Sequence, residues 1–294
     1  MNSALSSAIL EQINRATGLN VRHCSIQSIG GGCINQAFQL KTDKTTFFVK
    51  TNRADRLGMF VRESGGLQLL TASNTLRTPN VIGYGSAEGT AYLIMENIPM
   101  GGNGRAETAG RQLALLHRKK ADRFGSTADN FIGSTPQINQ SCDSWASFWQ
   151  QHRLGFQLIL AKEKGYHGRL QALGEQLQLQ LPAFLDHAPT PSLLHGDLWS
   201  GNLDYTTKGE PIIYDPAVYY GDRETDLAMT ELFGGFSDRF YAAYCEEWPL
   251  APGYSVRKTL YNLYHILNHL NLFGSGYEQQ AIAMMQRLLA EVSA

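Results

Sequence analysis

The sequence has little charge and no real excess of either sign. Of its 294 residues 17% are charged, and 26 acidic against 25 basic side chains leave a formal net charge of −1. Soluble proteins carry about 25% charged residues, but the composition is otherwise that of an ordinary globular protein. Because a large nucleic-acid-binding surface normally requires a basic excess, we expect no nucleic-acid partner.

A long hydrophobic run is also missing. No apolar stretch approaches the roughly 18 residues needed to cross a bilayer, so we expect no membrane partner. Residues 1–18 have neither a basic start nor a continuous apolar core, and Glu11 and Asn14 interrupt them, which is not typical of a signal peptide. A cytoplasmic location is therefore the default expectation.

Cysteine is scarce and scattered. Cys24, Cys33, Cys142 and Cys245 form no C-x-x-C pair and no Cys/His zinc spacing. Free cysteines of this kind usually behave as small buried hydrophobic residues. Cys33 differs from the other three because three glycines precede it.

The length exceeds what a single core usually supports, so two lobes are expected. Hydrophobic periodicity predicts a β-rich first part with two helices, then a mostly helical part. Between them, 99–104 holds three glycines and a proline, which suits a hinge. We predict an α+β, bilobal protein-kinase-like fold with an ATP cleft between an N-terminal lobe (1–98, a five-stranded sheet plus helices) and a C-terminal lobe (105–294). The predicted strands are 24–29, 35–40, 45–50, 81–84 and 91–95, and the predicted helices are 3–17, 59–70, 108–119, 144–164, 170–187, 224–233, 237–247, 255–273 and 277–292.

Two features of the first part suggest phosphate binding. Gly30, Gly31 and Gly32 join two strands, where glycine lets backbone N–H groups approach phosphate, although such a turn is often only a turn. Lys50 ends the third strand and Glu63 lies thirteen residues later on the next helix. A Lys–Glu pair in these positions is how kinases hold the α- and β-phosphates of ATP. Arg53 and Arg62 remain alternative partners for the acidic residues nearby.

The strongest signal is the stretch 194–202, followed thirteen residues later by Asp215. Phosphoryl transfer needs a carboxylate beside the attacking hydroxyl and hard oxygen ligands for Mg²⁺. Asp197 supplies a carboxylate, and Asn202, five residues later, matches the spacing H-x-D-x-x-x-x-N of a kinase catalytic loop. We predict Asp197 as the catalytic base, Asn202 and Asp215 as ligands of Mg²⁺, and His195 as structural.

Three further residues in or near the loop are candidates for structural or substrate-binding roles. Asp222 and Asp226 are expected to cap a helix near 224 and to hydrogen-bond the catalytic loop, with substrate contact by Asp222 as an alternative. Trp199 lies inside the loop, where its flat face could stack on a sugar. Core packing is the competing explanation for this tryptophan.

Four stretches resemble the fructosamine kinase (ketosamine-3-kinase) family, within the aminoglycoside-phosphotransferase and protein-kinase-like superfamily. They are 195–202, 215–224, 30–34 and 129–133, and they span most of the chain. The resemblance implies ATP-dependent phosphorylation of a sugar hydroxyl, typically O3, of a ketosamine such as a fructosamine or ribulosamine adduct. The phosphorylated adduct is unstable and frees the amine, so that the outcome is deglycation.

The resemblance also implies roles for particular residues. Asp197 becomes the base, Asn202 and Asp215 hold magnesium, and Lys50 holds phosphate. Met95, Glu96, Asn97 and Ile98 become the segment that binds adenine. Cys33 matches the cysteine that some members use for redox-linked dimerisation, so the protein is expected to be a monomer or a homodimer. Its expected partner is a small-molecule ketosamine or a glycated amine.

Other functions on the same fold are the alternatives. An aminoglycoside, choline or other small-alcohol kinase would share the catalytic loop, but a polyamine substrate should require a strongly acidic cleft. A pseudokinase that only binds nucleotide is disfavoured because Lys50, Asp197, Asn202 and Asp215 are all present. Protein-kinase activity is disfavoured because the H-R-D, D-F-G and A-P-E motifs are missing.

Overall fold

The structure is a computed structural model that describes residues 3–30 and 34–292. These residues form two compact units. The first comprises the chain up to Arg105 together with Asp204–Pro216, and the second comprises Ala106–Leu203 together with the chain from Ala217 onward. The sequence did not indicate that Asp204–Pro216 packs with the first unit. The predicted boundaries at 98 and 105 stay predictions.

The first unit contains the five-stranded antiparallel sheet that the sequence predicts. The strands lie in the order β1-β2-β3-β5-β4, and the helix α2 connects β3 to β4. The elements are α1 (Ser3–Thr17), β1 (Cys24–Ile29), β2 (Gln36–Thr42), β3 (Thr46–Arg53), α2 (Leu57–Ala72), β4 (Val81–Ala87) and β5 (Thr90–Glu96).

A helix covers each face of this sheet, and this explains where Lys50 points. Side chains alternate along a strand, so Phe47 and Val49 of β3 pack in the core that α1 completes. Phe48 belongs to the other face and packs in the core that α2 completes. Lys50, two residues after Phe48, is on that same face. The alternation of β3 therefore directs the ammonium group toward α2.

Beyond residue 105 the elements are mainly helices with short strands between them. The predicted helical content is confirmed, but the pairs formed by β6 to β11 were not predicted because three-residue strands carry almost no periodic signal. The elements are α3 (Ala106–His117), β6 (Asn130–Ile132), β7 (Thr135–Gln137), α4 (Trp145–Trp149), α5 (Gly155–Glu163), α6 (Arg169–Phe184), β8 (Ser192–Leu194), β9 (Leu203–Tyr205), β10 (Pro211–Ile213), β11 (Tyr219–Gly221), α7 (Glu224–Leu232), α8 (Asp238–Glu247), α9 (Tyr254–Phe273) and α10 (Glu278–Glu291).

The glycine-rich segment 99–104 lies directly against the hairpin of β9 and β10. A Cβ atom on Gly102 would stand 2.1 Å from the carbonyl oxygen of Thr206, and one on Gly104 would stand 1.7 Å from the ring of Tyr205. These glycines are therefore required for the close approach of two backbones. Their role as a hinge stays a prediction.

The core of the second unit is rich in aromatic side chains. Trp145 and Trp149 of α4 pack against Tyr261 of α9, and the indole N–H of Trp145 donates a 3.0 Å hydrogen bond to the Tyr261 hydroxyl. The helix predicted over 144–164 is not uniform, because Gln150–Leu154 form a π-helical turn between α4 and α5. No helix in the described ranges is long and apolar enough to cross a membrane.

The π-helical turn carries a buried arginine that periodicity could not predict. Arg153 has no exposed surface and lies 4.1 Å above the ring of Tyr219. It donates hydrogen bonds to the Ile138 carbonyl at 2.7 Å and to Asn139 Oδ1 at 2.8 Å. The guanidinium thus joins the π-helical turn to the loop after β7 and to β11, which pairs with β8 just before the predicted catalytic loop.

Candidate active site

In the first unit, Lys50 joins two carboxylates in one cluster. Its Nζ lies 2.5 Å from Glu63 Oε1 on α2 and 2.5 Å from Asp215 Oδ1 after β10. The Lys50 and Glu63 side chains are almost fully buried, whereas that of Asp215 is 47% exposed. Arg53, considered above as a competitor, pairs with Asp55 instead.

Charge decides the protonation of this cluster. Burial opposes the charge of Lys50, but the carboxylates of Asp215 and Glu63 outweigh it and raise the pKa of Lys50. Burial raises the pKa of Glu63, and the negative charge of Asp215 adds to that effect while Lys50 opposes it. Counted by formal charge, the one ammonium and two carboxylates of this cluster sum to −1, which suits a neighbouring cation.

Asp215 is held in an unusual backbone conformation. Its φ of 58° is in the left-handed region, which Asp tolerates better than most residues. The strand before it is fixed to the first unit, because Ile213 N–H donates a 3.0 Å hydrogen bond to the Arg77 carbonyl. Lys50 contacts only Oδ1. Among the described residues, none donates to Oδ2, so this oxygen can serve as a ligand.

In the second unit, the catalytic loop is anchored through its backbone. The N–H groups of His195 and Gly196 donate to the carboxylate of Asp226 on α7, at 2.7 and 2.8 Å. Gly196 has a φ of +83°, and a Cβ there would stand 2.1 Å from the Ala217 carbonyl oxygen. Only glycine fits this turn.

Side chains close the loop from within. Asn202 Nδ2 donates a 2.8 Å hydrogen bond to the Asp197 carbonyl, which explains the five-residue spacing of the two. The buried Asn202 side chain thus uses its amino group internally and turns its oxygen elsewhere, as an oxygen ligand requires. The Asp197 N–H donates to His195 Nδ1 at 3.3 Å. His195 is fully buried, which is consistent with the structural role predicted for it.

A buried network behind Asp226 was not found from the sequence. Asp226 Oδ2 lies 3.2 Å from His117 Nε2 on α3, and His117 Nδ1 lies 2.7 Å from the hydroxyl of Tyr244 on α8. Arg223 donates to the same hydroxyl at 3.1 Å. Burial alone would raise the pKa of Asp226, but the hydrogen bond and charge of His117, the charge of His195 and the Gly196 N–H lower it. The only hint of this network in the sequence was a histidine, His117, at the end of a predicted amphipathic helix.

Asp222 does not fit the substrate role considered for it. It is 2% exposed, and its carboxylate accepts from His187 Nε2 at 2.7 Å, from the Tyr261 hydroxyl at 2.5 Å and from the Glu224 N–H at 3.0 Å. Three donors satisfy both oxygens, so the residue is architectural. His187, Asp222 and Glu224 also resemble a metal-ligand group, but Arg257 already binds Glu224 through two nitrogens.

Trp199 is exposed at the surface of the loop. Its side chain is 37% exposed, so the core-packing alternative is wrong. A Cβ on Gly201 would stand 2.3 Å from the six-membered ring of Trp199, so the indole rests on the Gly201 backbone. The ring of Phe233 meets the indole edge to face, with 6.3 Å between the two ring centroids.

The remaining predicted site residues belong to the glycine-rich turn and to the segment predicted to bind adenine. Gly30 is exposed with open space around it, while Gly31, Gly32 and Cys33 lie outside the described residues. Of the segment predicted to bind adenine, Met95 and Glu96 end β5 and Asn97 and Ile98 follow it. Asn97 Oδ1 accepts a 3.2 Å hydrogen bond from Gln39 and Glu96 accepts one of 2.9 Å from the Asn80 N–H.

Comparisons with known proteins show which family the chain resembles. The family model described as fructosamine kinase matches residues 5–291. A protein of Synechocystis sp. named "Probable ketoamine kinase" is 47% identical over 285 residues, covering 96% of each chain. The chloroplastic protein-ribulosamine 3-kinase of Arabidopsis thaliana is 44% identical over 274 residues, covering 92% of this chain and 84% of that protein.

A solved structure shows the same similarity in three dimensions. The crystal structure named "Putative fructosamine-3-kinase" from Haemophilus somnus 129PT superposes with a TM-score of 0.87 at 30% identity, covering 96% of each chain. Fold and sequence agree over nearly the whole length. The chain therefore belongs to the fructosamine kinase family.

Proposed function

We propose that this protein is an ATP-dependent kinase that phosphorylates a sugar hydroxyl of ketosamines, such as fructosamine or ribulosamine adducts. The observation that carries the proposal is 47% identity over 96% of both chains to a protein named as a ketoamine kinase. The anchored loop with Asp197 and Asn202, and the cluster of Lys50, Glu63 and Asp215, support it chemically.

In the proposed catalytic step, Asp197 is the general base for the sugar hydroxyl. The carboxylate of Asp197 accepts the proton of the sugar hydroxyl as the hydroxyl oxygen attacks the γ-phosphorus of ATP, and the bond to the β-phosphate oxygen breaks to release ADP. Because Asp226 fixes the loop backbone through His195 and Gly196, the position of Asp197 is set before substrate arrives. Such pre-positioning is the main contribution that a protein makes to phosphoryl transfer.

Lys50, positioned by its ion pair with Glu63, would hold the phosphates of ATP, and Met95–Ile98 would contact adenine. Phosphate binding by the glycine-rich turn stays a prediction. Asp215, through Oδ2, and Asn202, through its amide oxygen, would each supply a magnesium ion with the hard oxygen ligand that it needs. Bound Mg²⁺ would neutralise charge on the phosphates.

On the acceptor side, Trp199 is partly exposed, and an indole ring suits the apolar C–H face of a sugar. The names of the relatives indicate a ketosugar as acceptor, with O3 as the expected hydroxyl. Aminoglycoside, choline and pseudokinase functions are not favoured, because the family match covers almost the whole chain. A monomer or homodimer, a cytoplasmic location and a redox role for Cys33 stay predictions.

An ATP-consumption screen tests this function. Ketosamines with four-, five- and six-carbon sugars are compared with aminoglycosides and choline, with and without MgCl₂. We expect turnover of at least one ketosamine and none of the comparators. Asp197→Asn should lose more than about 10³-fold in kcat while ATP still binds, because removal of the base leaves positioning intact. Turnover of only the comparators, or near-normal turnover by the variant, would refute the proposal.

A further inference from the structure

Residues 77–80, between α2 and β4, contact both the segment predicted to bind adenine and the strand that leads to Asp215. We refer to these four residues as the strap. At one end, the Arg77 carbonyl accepts a 3.0 Å hydrogen bond from the Ile213 N–H. At the other end, the Asn80 carbonyl accepts one of 2.9 Å from the Glu96 N–H. All of these residues belong to the first unit, so the strap connects two parts of one compact body.

Side chains add a second set of contacts to the strap. The Arg77 guanidinium lies between two carboxylates, with Nη2 3.4 Å from Glu96 Oε2 and Nη1 3.5 Å from Glu210 Oε2. Glu96 is the last residue of β5, and Glu210 immediately precedes β10. One arginine therefore bridges the start of the adenine segment and the start of the strand that leads to Asp215.

The side chain of Glu96 is directed to the strap. Its Oε1 atom accepts a 2.9 Å hydrogen bond from the Asn80 N–H, and both of its carboxylate oxygens lie 3.4 Å from Arg77 Nη2. A carboxylate engaged in this way is not free to bind a nucleotide. The contact of Glu96 with adenine is therefore left to its backbone.

These ion pairs contribute little to stability. The three charged side chains line a cleft of about 300 Å³, where Arg77 is 38% exposed and Glu210 is 50% exposed. Solvated pairs of this kind have small effects on folding. Positioning requires no large stabilisation, because a displacement of about 1 Å in an active site can lower a rate by about 100-fold.

We propose, on the basis of the function proposed above, that Arg77 and Glu96 are positioning residues that join the adenine segment to Asp215. Adenine contacts order the segment around Glu96, the strap transmits that order to Ile213, and Asp215, two residues later, is thereby held in place for its ligand role. Magnesium should accordingly tighten nucleotide binding less when the bridge is broken.

The test measures how much Mg²⁺ tightens the binding of ADP. Isothermal titration calorimetry gives the Kd of ADP in EDTA and in MgCl₂, and the ratio of the two is the magnesium gain. The proteins are the wild type, Arg77→Ala, Arg77→Lys, Glu96→Gln and Arg53→Ala. Arg53 is a matched control because it is an arginine of the same unit, its side chain is 83% exposed, and its ion pair with Asp55 is outside the strap. A variant that is merely less stable weakens both Kd values alike and leaves the gain unchanged.

We expect the magnesium gain to fall by about three-fold or more in Arg77→Ala and in Glu96→Gln, which is the scale of one or two partly exposed ion pairs. Arg77→Lys keeps the positive charge and should retain part of the gain, and Arg53→Ala should retain all of it. A wild-type gain in Arg77→Ala and Glu96→Gln, or an equal loss in Arg53→Ala, would overturn the inference while the kinase function stands. Failure of the wild type to bind ADP would instead refute the proposed function itself.

Discussion

At the scale of single residues, buried side chains hold the residues that we propose to be catalytic. Asp226 binds two backbone N–H groups of the catalytic loop and one imidazole, although it is only 1% exposed. A buried carboxylate is stable only when its lone pairs are satisfied. Asp222 is likewise buried, and its carboxylate accepts hydrogen bonds from His187 and Tyr261. It is therefore not available to bind an acceptor substrate.

Replacing Asp226 by Asn should lower both stability and activity. An amide NH₂ would face one of the N–H donors, so we expect the free energy of unfolding to fall by about 3 kcal/mol and kcat to fall with it. Urea unfolding and steady-state kinetics measure the two effects. Asp143→Asn is the control, because the Asp143 side chain is 82% exposed and its ion pair should contribute little.

The pH dependence of the same variant gives a sharper test. The folded-state pKa of Asp226 lies below its ordinary value of 3.8, so its stabilisation is present above pH 3.8 and lost as pH falls through the folded-state pKa. The stability gap between wild type and Asp226→Asn should therefore narrow below about pH 4. A gap that stays constant down to pH 3 would contradict the assignment.

At the scale of elements, close contacts between backbones determine where glycine is required. In α3, a Cβ on Gly110 would stand 2.3 Å from the Phe240 carbonyl of α8, whereas Gly65 in α2 has nothing within 4 Å. Both glycines lie inside helices and look equivalent in the sequence. Only the packing of α3 against α8 distinguishes them.

Alanine at the two positions should have effects of opposite sign. Gly110→Ala must push α3 away from α8, and we expect a loss of about 2 kcal/mol in the free energy of unfolding. Gly65→Ala meets no neighbour, and alanine restricts the unfolded chain, so a gain of about 0.5–1 kcal/mol is expected. Chemical denaturation of both variants provides the measurement, and equal effects would show that the close contact is not rigid.

At the scale of the whole molecule, the first compact unit is built from two separate stretches of chain. Asp215 reaches Lys50 only because 204–216 belongs with the N-terminal sheet. The proposed binding site for the nucleotide phosphates therefore depends on a contact between two residues that are 165 positions apart in the sequence. Binding at this cluster should be visible as stabilisation of the protein.

Magnesium and ATP together should raise the melting temperature through Lys50. At a concentration about 100 times Kd, ligand binding adds about 2.7 kcal/mol to stability, which corresponds to several degrees. Lys50→Met should abolish this increase relative to its own ligand-free melting temperature, and Lys44→Met, a variant of an exposed lysine in the turn after β2, should keep it. Differential scanning fluorimetry measures the shifts, and an undiminished shift in Lys50→Met would exclude Lys50 from nucleotide binding.

The sequence by itself determined the five strands of the N-terminal sheet, the longer helices, the loop motif from His195 to Asn202 and the family, because these depend on local periodicity and fixed spacing. The tertiary structure decided what distant residues do together: the contact of Lys50 with Asp215, the network of His117 and Tyr244 behind Asp226, and the three hydrogen bonds to the carboxylate of Asp222. Spacing along a chain encodes local geometry. Contacts between residues far apart appear only after side chains are buried and must satisfy one another.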